Sequence, residues 1–335
     1  MSKINKKNWL LFLFLLPLAI FAQNFTVSGT VKDASNGETM ISAMIYTADG
    51  NYGTATNMYG YYSIELPKGI HTIEFNYSGY QTFSKEIDLQ ENIKMNVELE
   101  VASEQIDVVV VSGKKNTDNF KKVEMSTVEL DVKSIEKIPA LLGEADVVKA
   151  VQLMPGVSTV GEGATGFNVR GGGVDQNLIL LDEAPVFNSS HLFGFFSVFN
   201  PDAVKNVKLI KGGIPSQYGG RLSSVLDIRM KEGNSKKVAG QGGIGALFSR
   251  LAIEAPIIKD KASFIVAGRR SYADVLAKPF LSKDFSDAQF YFYDLTAKVN
   301  YNVNDKNNFY LSGYFGRDVF SRGFGFNWGN QTATA

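Results

Sequence analysis

Few residues of this chain could do chemistry, and spacing counts against most of them. The 335 residues include no cysteine and two histidines, His71 and His191. Without thiols there is no disulfide framework, no thiolate zinc site and no cysteine nucleophile. His71 and Glu74 have the His-x-x-Glu spacing of a zinc site, with His191 as a conceivable third ligand. Their segment alternates, however: Ile73 and Phe75 are interleaved with Thr72, Glu74 and Asn76. That pattern predicts a strand with one buried and one wet face. An odd offset in a strand sends His71 and Glu74 to opposite faces, whereas a catalytic zinc needs three converging ligands. Gly161-x-Gly163-x-x-Gly166 spells a dinucleotide fingerprint, which requires a strand before it and a helix after it. Here a helix is predicted before it and a strand after it. Ser189, Ser190 and His191 adjoin, but no acid and no elbow sequence frames them. The sequence therefore assigns no catalytic residue, no metal and no cofactor.

The elements point elsewhere. Lys+Arg and Asp+Glu both number 34, which argues against a nucleic-acid coat. Gly is 32, Phe 24 and Tyr 14 against 9 Pro, a profile that favours many short strands and turns. Lys3, Lys6 and Lys7 precede an apolar run, Leu10–Phe21, and then Ala22. This is the three-part pattern of a cleaved export signal over residues 1–22, and the run is short of the ~20 residues a spanning helix needs.

Residues 25–99 read as a small β-sandwich. Strands are predicted at Thr26–Lys32, Met40–Thr47, Tyr61–Leu66, His71–Tyr77, Thr82–Leu89 and Ile93–Leu99, with turn signals between them. Val27-Ser28-Gly29-Thr30-Val31, Asn57-Met58-Tyr59-Gly60-Tyr61-Tyr62-Ser63-Ile64 and Tyr77-Ser78-Gly79-Tyr80 resemble the carboxypeptidase-regulatory-like domain, a transthyretin-like sandwich. Residues 100–127 read as a linker. Its run Ile106-Asp107-Val108-Val109-Val110-Val111 strongly prefers extended backbone. It reads either as one more sandwich strand or as an exposed strand awaiting a partner's sheet edge.

Residues 128–232 read as a mixed α+β unit. A helix is predicted over Glu144–Met154, ended by Pro155-Gly156, and a short one from Asn200-Pro201. Strands are predicted at Gly166–Arg170, Asn177–Leu181, Val207–Lys211 and Ser223–Met230. Gly166-Phe167-Asn168-Val169-Arg170-Gly171-Gly172 resembles the Arg-Gly element of the plug domain in TonB-dependent outer-membrane transporters. Leu180-Leu181-Asp182-Glu183-Ala184-Pro185-Val186 is similar to the plug's second element, often Asp-Gly-x-Pro, with Glu183-Ala184 as the departure. Val207–Gly213 and Tyr218-Gly219-Gly220-Arg221-Leu222-Ser223-Ser224-Val225-Leu226-Asp227-Ile228 match the segment that closes the plug.

Residues 237–335 read as the start of a barrel. Tyr291, Tyr293, Leu295, Ala297, Val299 and Tyr301 share one face of a strand, and Phe292, Asp294, Thr296, Lys298, Asn300 and Asn302 the other. Asn304–Asn308 is a polar turn, and Phe309, Leu311 and Phe315 continue the apolar line. Long alternating strands suit a membrane β-barrel, where closure satisfies every backbone group in lipid. Arg269-Arg270 then reads as lumen-facing or interfacial. A plugged barrel uses about 22 strands, and residues 237–335 hold about five, so a longer protein is expected.

The fold class is thus mainly β: a transthyretin-like sandwich, an α+β plug domain, and the first strands of a transmembrane antiparallel barrel. The resemblance implies an outer-membrane receptor for energised uptake of a scarce ligand. It implies TonB with its inner-membrane energising complex as partner, a TonB box at Asp107, Val108, Val109, Val110 and Val111, and outer-membrane lipid around the barrel. Arg170, Gly171, Gly172, Asp182, Pro185, Gly219, Gly220 and Arg221 would be the plug's structural elements, with Arg170 and Arg221 expected to pair with carboxylates of the barrel wall. Phe187, His191 and Phe193 form a candidate ligand-facing loop; the other reading of this segment is buried plug core. Siderophores, cobalamin, glycans and peptides are all compatible ligands. The rival reading is an exported binding module without transport.

Overall fold

The computed structural model describes residues 24–102, 126–131, 135, 145–161, 165–245, 247–280, 288–304, 307–322 and 324–335. The expected export signal and the run 107–111 lie outside them.

The first unit is a sandwich of eight strands: β1 (Asn24–Asp33), β2 (Met44–Thr47), β3 (Gly53–Ala55), β4 (Tyr61–Pro67), β5 (Gly69–Asn76), β6 (Phe83–Leu89), β7 (Ile93–Lys94) and β8 (Val97–Leu99). One sheet runs β4-β1-β7 with β8 also on β1, and the other runs β3-β2-β5-β6. Their facing side chains, among them Val27, Ile45, Tyr62, Leu66, Ile73, Phe75 and Leu99, make one core. Burial at Ile73 and Phe75 but not at Thr72, Glu74 or Asn76 follows the alternation in the sequence. The strand expected at Ile93–Leu99 is split. Between its halves Met95 N–H donates to Ser28 O, and Asn96 Oδ1 accepts from Thr30 N–H. Tyr62 explains the break: its hydroxyl donates to the Met95 carbonyl at 2.8 Å. Burial pushes that phenol well above its ordinary range.

The remaining chain forms a second compact unit. It begins with β9 (Thr127–Asp131), α1 (Val147–Gln152), β10 (Val157–Thr159), β11 (Phe167–Val169), β12 (Asn177–Leu181), β13 (Ala184–Pro185), β14 (Ser190–His191), β15 (Phe196–Ser197), β16 (Val204–Ile210) and β17 (Ser224–Met230). The central sheet runs β13-β12-β17-β16-β9, with β12 and β17 parallel. Both faces of β17 are covered: Leu226, Ile228 and Met230 pack with α1 in one cluster, Val225 with Leu180 and Ile210 in another. Asp146 caps α1 by accepting from Val148 and Lys149 N–H at 2.9 and 3.0 Å.

The helix expected after Asn200-Pro201 does not form. Asn200 makes an Asx turn, accepting from Asp202 N–H at 3.0 Å, and β16 starts one turn later at Val204. Val204 and Val207 gain more from pairing with β17 and β9 than from continuing a helix.

Six antiparallel strands follow as a meander: β18 (Ala239–Ile244), β19 (Phe248–Ile258), β20 (Ala262–Ser271), then α2 (Ala273–Ala277), β21 (Gln289–Asn304), β22 (Asn307–Arg322) and β23 (Phe324–Thr334). The predicted turn falls between β21 and β22. The polarity of this sheet is inverted relative to a soluble protein. On β21 the polar line is the buried one, with Asp294 at 4%, Lys298 at 7% and Asn300 at 3% exposure, while Leu295 and Val299 stand 49% and 41% exposed. β22 repeats this, burying Ser312 and Asp318 and exposing Phe309 and Leu311. A soluble sandwich would bury the opposite face. Among the described residues no helix is long and apolar enough to cross a membrane.

Candidate functional site

The buried polar face of the six strands is covered by the α+β unit, and three charged contacts hold the two together. At the first, β12 and β13 are joined by a two-residue turn, Asp182-Glu183, with φ of 45° and 73°. Turns of this kind need positive φ at both positions, and Asp tolerates the left-handed region better than most residues. The turn aims Asp182 at the wall. Its Oδ1 accepts from Met230 N–H at 3.0 Å and its Oδ2 lies 3.0 Å from Lys298 Nζ of β21. Glu183, where the family pattern has glycine, points the other way and pairs with Arg229 at 2.9 Å. Burial opposes the Arg229 charge, but Asp227 and Glu183 outweigh it and raise its pKa. Burial raises Asp227, with Arg229 partly offsetting it.

At the second, the Asx turn presents Asp202 to Arg250 of β19 at 2.7 Å. At the third, β14 delivers His191 into the wall. Its Nδ1 is 2.7 Å from Asp318 Oδ2, and its Nε2 is 3.3 Å from Asp294 Oδ2 and 3.0 Å from the Tyr314 hydroxyl. Arg269 donates twice to Asp294, at 2.9 and 2.6 Å, and once to the Ser197 carbonyl of β15 at 2.9 Å. Arg269 thus faces inward and its neighbour Arg270 outward, over the Tyr291 ring at 5.1 Å.

The motif residues fall into two groups. Arg170 and Gly171, at φ 50° and 83°, form a tight turn closed by Gly172 N–H to the Val169 carbonyl. Gly172 is there for space: a Cβ would sit 2.3 Å from Ser223 Oγ and 2.6 Å from Ser223 Cβ. Gly172→Ala is therefore expected to destabilise the unit by about 1–3 kcal/mol, read from the denaturant midpoint, with Ser223→Gly restoring part of the loss. Pro185, Gly219 and Gly220 are surface turn and edge residues, Gly220 at φ 81°. Against the wall strands described, Arg170 and Arg221 make no pairing with a carboxylate. Both are exposed; Arg170 donates to Ser126 Oγ at 3.0 Å and Arg221 to the Gly220 carbonyl at 3.2 Å. Docking charge comes instead from Asp182, His191 and Asp202 on one side and Arg250, Arg269, Asp294, Lys298 and Asp318 on the other. Only Asp182 among these was a motif residue. The signal for the wall residues was their shared parity along alternating strands.

The candidate ligand-facing loop also divides. Phe187 and Phe193 are 85% and 60% exposed, whereas His191 is 1% exposed and packs against the wall strands. Phe193 lies among Phe290, Phe320, Phe326 and Trp328 of three strands, 5.0 Å from the Trp328 ring.

Comparison with known proteins places this architecture. Residues 27–111 match the CarboxypepD_reg-like domain and residues 122–224 the TonB-dependent Receptor Plug Domain. The chain thus carries a TonB-dependent receptor plug domain behind a CarboxypepD_reg-like domain. TonB-dependent receptor P3 of Formosa agariphila is 33% identical over 138 residues, covering 40% of this chain and 13% of that protein. TonB-dependent receptor P26 of the same organism is 28% identical over 220 residues, covering 62% of this chain and 21% of that protein. The matched segments are thus a small part of either relative. Among solved structures, the siderophore receptor PirA from Acinetobacter baumannii aligns over 60% of this chain and 33% of its own, at 20% identity and a TM-score of 0.43. The α+β unit is the matched plug, and β18–β23, with their polar face toward it, are the strands that wall it. The first family match runs to residue 111 and so takes in the whole run 107–111.

Proposed function

We propose that this receptor works as an energised gate in the outer membrane, taking up a scarce ligand with no bond-making chemistry. The observation that carries the reading is the inverted sheet, apolar outward and polar inward, with the plug held inside by charged contacts. Such contacts can be broken and remade without exposing an apolar core to water, which suits a plug that must move. Residues 1–22 direct export and are removed. Residues 25–99 form the accessory sandwich, 128–232 the plug and 237–335 wall strands. Within the linker, 100–127, Asp107–Val111 offers TonB a strand to pair with; main-chain hydrogen bonds would supply affinity and the valines the fit. Pulling on that strand, driven by the inner-membrane proton gradient, would remodel the plug. Phe187 and the Phe193 cluster are the aromatic surface that would meet incoming ligand.

Two experiments test this. Deleting 107–111 is expected to abolish capture of the receptor by a purified periplasmic TonB domain and to abolish uptake, with surface ligand binding intact. Unchanged capture and uptake would favour the rival, an exported binding module. Independently, Val299→Arg on the outward face of β21 is expected to destabilise the folded protein in lipid by about 2–4 kcal/mol. An ordinary solvent-exposed position would change by no more than about 0.5 kcal/mol. Urea titration in lipid vesicles separates the two.

A further inference from the structure

His191 is enclosed by groups from three wall strands. Asp318 and Tyr314 reach it from β22, Asp294 from β21, and Arg269 from β20 through Asp294. Its ring stacks on Phe292 at 4.3 Å with an interplanar angle of 10°. On the plug side, Lys149 and Asp146 are engaged elsewhere. Lys149 donates to the Phe195 carbonyl at 2.9 Å, and Asp146 caps α1 and accepts from Ser197 N–H at 2.7 Å. Charge balance within the cluster is then decisive. Two buried carboxylates face one buried guanidinium, so the imidazole completes the balance only when it carries a proton. Hydrogen bonding agrees at Nδ1, because an ionised carboxylate can only accept and must be met by an N–H. A neutral ring would leave Asp318 or Asp294 buried without its counter-charge, an arrangement that proteins avoid.

We propose that His191 is a protonation-dependent latch that fastens the plug to the wall. This deepens the plug reading and rests on it. Burial opposes the imidazolium, but hydrogen bonds to Asp294 and Asp318 outweigh burial and raise its pKa above the ordinary 6.5. The sign follows from a raised folded-state pKa. The latch is fully closed below about pH 6.5, and its stabilisation is lost as pH rises through the folded-state value. The latch is joined to the aromatic surface by two residues. Leu192 N–H donates to Asp318 Oδ1 at 2.8 Å, and Leu192 and Phe193 both hold positive φ, 48° and 59°. Neither residue favours that region, so the corner is kept in place by the contacts on either side. Opening the latch frees Phe193 to leave the cluster with Trp328.

Residues 1–335 contain no cysteine, and any cysteine elsewhere in the receptor is replaced by serine before labelling. A single cysteine at Phe187→Cys, on an exposed side chain four residues before His191, carries a nitroxide label in the intact receptor reconstituted in lipid vesicles. Its mobility is followed from pH 5 to pH 10. The expected result is an immobile label at low pH that becomes mobile through a midpoint above 6.5. His191→Gln should be mobile throughout, and His71→Gln should keep the transition. Asp318→Asn should lower the midpoint by about one pH unit or more, since it removes one opposite charge. A wild-type label with no transition in this range overturns the latch, as does the same transition in His191→Gln. If His191→Gln does not fold, an unmoved midpoint in Asp318→Asn overturns it equally. The gate reading fails separately, by unchanged TonB capture and uptake after deletion of 107–111.

Discussion

Arg269→Ala will loosen the plug from the wall by about 3–5 kcal/mol, the range for removing one partner of a buried ion pair. The geometry supports the upper part of that range. The Arg269 and Asp294 side chains are 1% and 0% exposed. Arg269 also donates to a plug carbonyl, at Ser197. Its loss leaves Asp294 facing only His191 and leaves that carbonyl unpaired. Partial proteolysis of the plug against an intact wall would read the loosening, together with a lowered unfolding temperature. The control is Arg269→Met with Asp294→Leu. Replacing both charges with packed apolar groups should be neutral or stabilising by up to about 4 kcal/mol. A double variant as weak as Arg269→Ala would mean that packing against Phe292, not charge, holds this corner.

The same contrast explains why a gate would keep charges here at all. An apolar interface of equal area would be at least as stable but would have no response to proton, ligand or pulling force. The described interface concentrates its charged contacts at three places, Asp202–Arg250, Asp182–Lys298 and the His191 cluster, each on a turn or short strand of the plug. Turns can be displaced one at a time, whereas the central sheet, with β17 covered on both faces, is packed as one body. The docking chemistry therefore sits on the parts of the plug that are easiest to shift.

How much of this the sequence carried depends on range. Local pattern was enough for β12, predicted and found at Asn177–Leu181, for the β21–β22 turn, and for the two faces of β21. It failed at Asn200-Pro201, where a true capping residue precedes a strand, because pairing with β17 and β9 is set by residues far along the chain. The docking contacts were beyond reach for the same reason. His191 and Asp318 are 127 positions apart, and nothing near either one marks the other. His191 sat in an aromatic-rich segment and read as part of a ligand loop. Only its burial against polar wall strands separates it from Phe187 and Phe193. Arg170 and Arg221 lie in glycine-rich turns away from the described wall strands, and the wall residues that dock are the acidic and basic positions of one strand parity.

Lys298→Met is expected to cost about 3–5 kcal/mol and to be rescued within the turn it abandons. Lys298 is the cation that Asp182 Oδ2 meets, at 3.0 Å, and it also stands over the Tyr310 ring at 4.7 Å. Methionine keeps the stem and its packing but leaves the Asp182 carboxylate buried beside a strand wall, with Met230 N–H as its remaining donor. Asp182→Asn then removes the stranded charge. Asparagine tolerates the left-handed backbone that Asp182 adopts, and its side-chain oxygen can still accept from Met230. The double variant should recover most of the loss, and a double-mutant cycle should give a coupling energy within the ~0.5–3 kcal/mol typical of contacting residues. Additive single effects would show that the turn, held by β12 and β13 alone, positions the plug without the wall, and that Lys298 serves only to fill the lumen. Because Asp182 is the one motif residue that also docks, this pair decides whether the plug's second element is conformational only or part of its fastening to the wall.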